Sequence, residues 1–520
     1  MASTDVKGIG KVIFSSSLGT LIEWYDFYIF GMLAKTISVQ FFPEGNDTAA
    51  LLSTLAIFAA GFLVRPFGAL VFGRLGDMIG RKSTFLLTLV LMGGSTFLIG
   101  LIPGYKSIGI AAPLLVLLLR LIQGLALGGE YGGAATYVAE HSPSNRRGYY
   151  TSWIQTTATL GLFVALGVIM AVKSNMSDAA FTAEWGGWRY PFWISILLVG
   201  VSVYIRLRMN ESPIYTKLKK AGKTSVNPLK ESFGHKANFK MVLLALFGAV
   251  MGQGVIWYTG QFYAQSFLEN TVKIEFMQNR EILLWGIGLA TPFFLVFGAL
   301  SDKIGRKWIM LTGMLLGVIF YRPIFGSFIK DTNVKEWMKN AEVVSKEINK
   351  KMVIKVDTIH AVVTRFTITN TSIKWVLKDG FKFVENTKDT AVQGSDGVET
   401  LIKKDSKPTY TDKILSTPLK WKFIFLVFTM ILFVTMAYAP IAAFLVELFP
   451  TKIRYTSMSL PYHIGNGVFG GLVPFIATLL SASFVNDPLV GLWYPIAVAA
   501  LCCIIGALYL SNKIDKNIMD

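Results

Sequence analysis

Ionisable side chains lie inside long apolar stretches of this 520-residue chain, where they are costly to bury. Glu23 and Asp26 are three positions apart in the first such stretch, so a helix would carry them on one face. Arg120 and Glu130 lie in a second stretch, and Arg65 lies in a third. In a buried pair of an acid with an arginine, removing one charge would leave the other without a partner, which suits such pairs to a proton switch.

The predicted helices place two of these groups at a similar depth. With a rise of about 1.5 Å per residue, Asp26 and Arg120 lie eight and nine residues from the outer ends of their helices. A buried pair of Arg120 with Asp26 or with Glu23 is therefore geometrically possible. The alternative is a permanently ionised pair with a purely structural role.

Neutral polar residues in other apolar stretches could line a binding cavity, although hydrogen bonding between helices explains a single Gln or Tyr equally well. These neutral residues are Gln123, Gln155, Gln253, Tyr258, Gln261, Tyr462, His463 and Asn466. The set predicted for proton coupling and substrate binding is Glu23, Asp26, Arg120, Gln123, Glu130, Gln253 and Tyr258.

The composition indicates that lipid surrounds these stretches. Hydrophobic residues make up 53% of the chain and charged residues 16%, and the mean hydropathy is +0.51; soluble domains carry about a quarter charged residues. The aromatic content excludes disorder, and the adjacent Cys502 and Cys503 exclude a disulfide scaffold.

The net charge of +18 is distributed in short clusters between apolar runs, which predicts membrane topology and not a nucleic-acid partner. No metal-ligand spacing or phosphate-binding lysine loop occurs, so we expect no metal, no cofactor and no enzymatic activity.

Twelve stretches are long enough to span a bilayer, which requires about 20 mostly apolar residues. They cover residues 12–34, 49–72, 84–102, 111–139, 152–172, 190–207, 241–267, 282–300, 308–328, 423–446, 459–480 and 488–510. Lys and Arg collect in alternate short loops, and this bias places both termini in the cytoplasm. We therefore expect an all-α, multi-pass protein of the plasma membrane that acts as a monomer in the lipid bilayer.

Two loop elements occur twice. The segment Leu75–Lys82 returns as Leu300–Lys307, and the pattern Glu-x-x-Pro-x-x-x-Arg occurs at 140–147 and at 447–454. Matching elements at corresponding places predict two six-helix halves related by an axis along the membrane normal. Acids and bases at cytoplasmic helix ends could hold that side shut. The predicted cytoplasmic gate consists of Asp77, Arg81, Glu140, Arg147, Asp302, Arg306, Glu447 and Arg454.

The repeat spacing reveals an insertion between helices nine and ten. Asp77 and Glu140 are 63 positions apart, whereas Asp302 and Glu447 are 145 apart, so the second half has gained 82 residues. We assign them to 331–412 and predict a small extracytoplasmic α+β domain that a short linker could replace. Its predicted elements are a helix at 334–350, strands at 352–356, 361–369, 373–377 and 381–384, and a loop near 389–407. The remaining predicted domains are 1–209, a cytoplasmic linker at 210–238, and a second half formed by 239–330 and 413–520.

Together these motifs resemble the metabolite:proton symporters of the major facilitator superfamily, which include carriers of α-ketoglutarate, citrate, shikimate and proline/betaine. The resemblance is carried by residues 23–28, 64–68, 73–82, 120–124, 128–133, 211–213 and 447–450. It implies alternating access, and import of a small organic acid or zwitterion together with a proton. It also implies that the first-helix acids and Arg120 belong to the binding and coupling region. The alternative is a non-transporting membrane sensor whose insertion binds the ligand, but two intact gate elements favour transport.

Overall fold

The structure is a computed structural model. It describes residues 17, 20–21, 24–79, 81–129, 135, 138–139, 142–208, 234–339, 342–359, 362–393, 399–404, 407–449, 454–484 and 486–512. Within these ranges, the side chains of 73–85, 202, 205–206, 208, 353–367, 390, 392–393, 399–404 and 454–455 are not part of the description.

Helices form most of the described chain, as the apolar stretches predict. Residues 24–32 are helical. The further α-helices are Ala34–Phe41, Asp47–Leu63, Arg65–Ile79, Arg81–Ile99, Tyr105–Ile108, Ala111–Leu127, Arg147–Ser174, Asp178–Thr182, Tyr190–Arg208, Lys236–Ala245, Met251–Tyr258, Ala264–Asn270, Phe276–Ala290, Phe293–Ile304, Arg306–Asp331, Val334–Lys339, Thr417–Tyr438, Ile441–Leu448, Arg454–Tyr462, Val473–Ser483 and Trp493–Tyr509. The π-helical segments Leu246–Val250, Thr259–Tyr263 and His463–Gly470 join successive α-helices, and Gly187–Arg189 and Val490–Leu492 are 3₁₀ turns.

Eight helical segments in the described ranges are long and apolar enough to cross a membrane. They are Asp47–Phe72, Arg147–Ser174, Lys236–Asn270, Phe276–Ile304, Arg306–Lys339, Thr417–Leu448, Thr456–Ser483 and Val490–Tyr509. Each overlaps one predicted span. Leu86–Ile99 and Ala111–Leu127 are shorter apolar helices at two further predicted positions, and part of the first predicted span lies outside the described residues. The number twelve therefore stays a prediction.

Glycines bring the helices that carry Arg65 and Arg120 into backbone contact. A Cβ added at Gly124 would lie 1.9 Å from the carbonyl oxygen of Gly61. One added at Gly68 would lie 2.0 Å from the carbonyl oxygen of Leu125. Larger side chains would force these helices apart, so the small residues fix the separation at which the two arginines are held.

The described residues form two compact units. The larger comprises Met1–Ala264, Leu284–Pro323 and Leu426–Asp520, and it contains both predicted functional regions. The smaller comprises Gln265–Leu283 and Ile324–Phe425, so it includes helix ends as well as the predicted insertion.

An antiparallel sheet dominates the smaller unit. Its strands are β1 Val343–Ile359, β2 Val362–Leu377, β3 Lys382–Gln393, β4 Glu399–Lys404 and β5 Thr409–Ile414. The order is β1-β2-β3-β4, and β5 pairs with β3. Trp337 of the preceding short helix stacks on Phe381 with a centroid distance of 4.3 Å, and Phe383 is buried beside them.

Two predictions for the insertion are wrong. The predicted helix 334–350 ends at Lys339, and β1 starts at Val343. The predicted loop near 389–407 contains the end of β3 and all of β4. In both cases pairing between distant strands outweighs the local pattern: Ile348 lies opposite Ile373, and Asp389 lies opposite Lys404.

Candidate functional site

Arg120 is fully enclosed on the helix Ala111–Leu127, with 1% of its surface exposed. Its Nη1 donates a hydrogen bond to Oε1 of Gln123, and its Nη2 lies 3.5 Å from the carbonyl oxygen of Phe58. Gln123 Nε2 donates in turn to Thr96 Oγ1 at 2.8 Å and to the main-chain oxygen of Asp26 at 3.4 Å. Gln123 therefore links Arg120 to the helical turn that carries Asp26.

The carboxylate of Asp26 is buried and does not pair with Arg120. Neither of its oxygens has a hydrogen-bond partner among the described residues. A Cβ added at Gly93 would lie 3.3 Å from Asp26 Oδ2 and 1.9 Å from a methyl group of Val199. The carboxylate thus faces the helices Arg81–Ile99 and Tyr190–Arg208. Asp26 and Arg120, which the sequence analysis treats as a possible pair, are therefore not paired in the structure.

Arg65 lies on an aromatic surface formed by neighbouring helices. Its Cζ is 4.1 Å from the ring centroid of Phe62 and 4.8 Å from that of Phe27. Arg120 approaches the same Phe27 ring, with its Cζ also 4.8 Å from the centroid, and it lies 4.5 Å from that of Phe30. Stacking of a guanidinium on an aromatic face is a favourable cation–π contact.

The second half of the chain contributes further rings to this cluster. The centroid of Phe262 is 5.3 Å from that of Tyr28, and the centroid of the buried Tyr258 is 5.0 Å from that of Phe62. Trp257 reaches Trp24 of the first half at 5.4 Å. Residues from both halves therefore enclose the arginines.

Gln253 lies deeper in the second half and has a local partner. Its Oε1 accepts a hydrogen bond of 2.9 Å from Nδ2 of Asn466, while its Nε2 has no partner among the described residues. This contact joins the helix Met251–Tyr258 to the π-helical segment His463–Gly470. The structure supports a helix-packing role for Gln253 at least as well as a substrate contact.

The predicted gate brings a carboxylate to the start of a helix. Asp302 accepts hydrogen bonds from the main-chain N–H groups of Gly148 at 2.8 Å and Tyr149 at 2.9 Å. These groups lie in the first turn of Arg147–Ser174, where N–H groups have no partner within the helix and the dipole attracts an anion. A Cβ at Gly148 would lie 2.6 Å from the carbonyl oxygen of Gly298, so only glycine permits this approach.

An alternating series of charges extends this contact between the halves. Arg306 Nη1 binds Asp302 Oδ1 at 2.6 Å, and its Nη2 binds Glu447 Oε1 at 3.0 Å. Glu447 also accepts from Nη1 of Arg147 at 2.9 Å. All four side chains are at most 6% exposed. We call Asp302, Arg306, Glu447 and Arg147 the gate network.

The remaining predicted site residues are outside the description. Glu23, Glu130 and Glu140 are not among the described residues. For Asp77, Arg81 and Arg454 the helical backbone is described but the side chains are not. Their roles stay predictions.

Sequence reasoning missed the aromatic cluster and placed Arg65 in no site. A signal was present, because Phe58, Phe62 and Arg65 follow one another at helical spacing, and Trp24, Phe27 and Tyr28 do so in the first helix. What the spacing could not show is that the two sets meet around Arg120.

Known proteins resemble the chain in sequence and in fold. A family profile described as sugar (and other) transporter matches residues 12–346. The alpha-ketoglutarate permease of Escherichia coli K12 is 38% identical over 329 residues, which cover 63% of this chain and 74% of the relative. The proline/betaine transporter of the same organism is 34% identical over 334 residues, covering 62% and 65%. A partially occluded inward-open structure of the xylose transporter XylE from E. coli is 14% identical, with a TM-score of 0.64 over 98% of this chain and 100% of that chain.

The chain belongs to the sugar (and other) transporter family of the major facilitator superfamily. It is a multi-pass membrane transporter of small metabolites with the major facilitator fold. This family consists of permeases, which confirms the expectation that the protein is not an enzyme. Nothing in these relatives supports the alternative of a sensor.

Proposed function

We propose that this protein is a proton-coupled symporter that imports a small organic acid or zwitterion across the plasma membrane by alternating access. The names of two relatives, a permease for alpha-ketoglutarate and a transporter for proline and betaine, support this range of substrates. The observation that carries the proposal is the buried carboxylate of Asp26, which has no partner among the described residues, on a helical turn whose main-chain oxygen is hydrogen-bonded to Gln123, the partner of Arg120.

The separation of Asp26 from Arg120 suggests how coupling works. Protonated Asp26 is neutral and fits its apolar surroundings beside Gly93 and Val199, so Arg120 stays available to a substrate carboxylate. Ionised Asp26 would lie unpaired in its present position, which costs several kcal/mol, and if its side chain turned to Arg120 it would compete there with the substrate. Proton binding and substrate binding then favour each other, as coupling requires.

The test compares Asp26→Asn with the wild type in proteoliposomes, with Asp379→Asn in an exposed turn of the sheet as control. Asparagine imitates the protonated carboxyl group. We expect the variant to exchange internal for external substrate while losing accumulation driven by a pH gradient. Accumulation against a gradient by Asp26→Asn would place proton coupling elsewhere, with Glu23 or Glu130 as the next candidates.

The gate network supports alternating access. It connects Arg147 of the first half to three residues of the second, so opening that side requires these contacts to break. The repeat places Asp77, Arg81, Glu140 and Arg454 at the corresponding positions. We propose that they form a second, matching set of contacts and that both sets lie on the cytoplasmic side.

We further propose twelve spanning helices, cytoplasmic termini, a monomer, and an extracytoplasmic insertion at 331–412. The limits of the insertion are supported by a helix that ends at Asp331 and by β5, which ends at Ile414. Main-chain hydrogen bonds tie Lys413 to Lys273 and Glu275, so a replacement linker must end before Lys413. With that limit, the linker variant should still transport.

Cysteine labelling tests the topology. Ile348 on β1 lies within the proposed insertion and is 53% exposed. In a chain without Cys502 and Cys503, an impermeant thiol reagent should label Ile348→Cys in intact cells and should not label Lys236→Cys. Labelling of Lys236→Cys and not of Ile348→Cys would show that the topology is the inverse of the one proposed.

A further inference from the structure

Two buried guanidinium groups share one aromatic surface. Arg65 and Arg120 each place Cζ 4.8 Å from the centroid of Phe27, so the two carbons are separated by at most twice that distance. Both side chains are almost fully enclosed, with exposures of 3% and 1%. Two permanent cations so close together repel each other and also lose hydration.

No described acidic side chain neutralises this pair. Nε and Nη2 of Arg65 and Nε of Arg120 have no hydrogen-bond partner among the described residues. Asp26, the acid of the first helix that the structure describes, faces Gly93 instead. Buried charges and buried donors normally find partners, so a group with two negative charges is the missing component.

The aromatic rings that contact Arg65 and Arg120 argue against a zwitterion bound beside these arginines. A quaternary or protonated amine would need an aromatic face of its own for a cation–π contact. Phe27 and Phe62 already carry Arg65, and Phe30 and Phe58 lie within 5.0 Å of Arg120. A third cation at these four rings would meet two guanidinium charges. The surroundings of the two arginines therefore favour an anion next to each of them.

Donors without partners line the same cluster from both halves. The Tyr28 hydroxyl, the Trp257 indole N–H and the Gln261 amide make no hydrogen bond among the described residues. The rings of Tyr28 and Trp257 are 5.9 Å apart. Hydroxyl and N–H groups can donate to carboxylate or keto oxygens, which adds further capacity for an anion.

We propose that the transported substrate is a short aliphatic dicarboxylate, with one carboxylate bound by Arg120 and the other by Arg65. The inference rests on the proposed transport function and assigns Arg65 as the residue that distinguishes a dicarboxylate from a monocarboxylate or a zwitterion. Each guanidinium can bind a carboxylate through two N–H groups, a geometry that lysine lacks.

The test uses succinate, propionate and glycine betaine as probes. Quenching of tryptophan fluorescence measures binding in detergent, and labelled succinate measures uptake driven by a pH gradient. Succinate should bind at least about tenfold more tightly than propionate or betaine. Arg65→Gln should weaken succinate binding by about tenfold or more and leave propionate binding unchanged, and Arg65→Lys should fall between them.

The control variant is Arg322→Gln, which removes a half-buried arginine that pairs with Asp487. It should leave the order of affinities unchanged. Equal binding of betaine and succinate by the wild type would overturn the inference, as would an equal loss of succinate and propionate binding in Arg65→Gln. Selective succinate binding without proton-driven uptake would overturn the proposed symport and leave the dicarboxylate site standing. Proton-driven uptake of betaine but not of succinate would overturn the dicarboxylate site and leave the proposed symport standing.

Discussion

The gate network and the aromatic cluster differ in whether their buried charges form ion pairs. In the gate network, acids and bases alternate, with ion-pair distances of 2.6–3.0 Å. In the aromatic cluster, Arg65 and Arg120 have aromatic faces and an amide as neighbours but no ion pair in the described part of the chain. Under the proposed mechanism, the charges that hold one conformation are neutralised within the protein. The charges proposed to bind the substrate are left for the substrate to neutralise.

The comparison predicts its largest effect at Glu447, the shared partner of two arginines. Glu447→Gln leaves Arg147 and Arg306 buried without their common carboxylate, which should lower the free energy of unfolding by about 3–5 kcal/mol. The measurement is urea unfolding in detergent. Glu281→Gln is the matched control, because its pair with Lys420 is partly exposed and should contribute at most about 1 kcal/mol. Equal losses of unfolding free energy in both variants would show that the gate network stabilises the protein no more than a partly exposed ion pair does.

The next effect should have the opposite sign. Arg65→Met removes a buried cation that has no ion pair among the described residues and replaces it with an apolar chain of similar length. Without substrate, we expect the free energy of unfolding to rise by about 1–3 kcal/mol while uptake is lost. Arg147→Met, at the gate, should instead destabilise the protein. The same urea titration decides, and a loss of stability in Arg65→Met would show that the aromatic contacts alone satisfy this arginine.

A smaller effect is expected at Asp302. Asp302→Asn keeps an oxygen near the N–H groups of Gly148 and Tyr149 but removes the charge that favours the helix N-terminus and Arg306. The expected loss is about 1–2 kcal/mol. Because Asp302 and Glu447 share Arg306, the double variant should lose less than the two single losses combined. Strict additivity would indicate that the two carboxylates act independently.

These regions also differ in how far the sequence predicts them. The repeat places Asp302 and Arg306 four positions apart in one gate element, and in the structure their side chains form an ion pair across the junction of two helices. Glu447 and Arg147 belong to the same sequence element in different halves, but their contact depends on how the halves pack. The aromatic cluster depends even more on packing, since Phe27, Phe62 and Phe262 come from separate helices.

The insertion shows a further limit of local patterns. Residues 334–350 contain four Lys and three Glu residues, which favour a helix in isolation. In the structure residues 343–350 belong to β1, whose residues pair with β2 from Val343 to Ile359. Strand pairing is a non-local interaction, so the composition of one strand does not determine it.

The smallest predicted effect concerns Lys413, a cation in the smaller unit that is buried to an intermediate degree. Its Nζ donates to the main-chain oxygen of Thr332 at 3.0 Å, and it forms no ion pair among the described residues. Burial, with a further contribution from repulsion by Lys273, lowers the pKa of Lys413 to about 8. It therefore resembles Arg65 in having no counter-charge in the described part of the chain, but unlike arginine it can lose its proton.

This lowered pKa fixes the sign of a pH dependence. An unfolded lysine titrates near pH ~10.4, so between about pH 8 and 10 the unfolded chain binds more protons than the folded one. The free energy of unfolding should therefore rise with pH across that window, by about 1 kcal/mol once partial exposure is taken into account. Urea unfolding of the sheet, followed by circular dichroism at pH 7.5 and 9.5, measures this change. Lys413→Met should remove most of this rise, whereas Lys378→Met, at an exposed pair with Glu342, should retain it. A stability that falls with pH in the wild type and not in Lys413→Met would mean that the folded unit stabilises this charge.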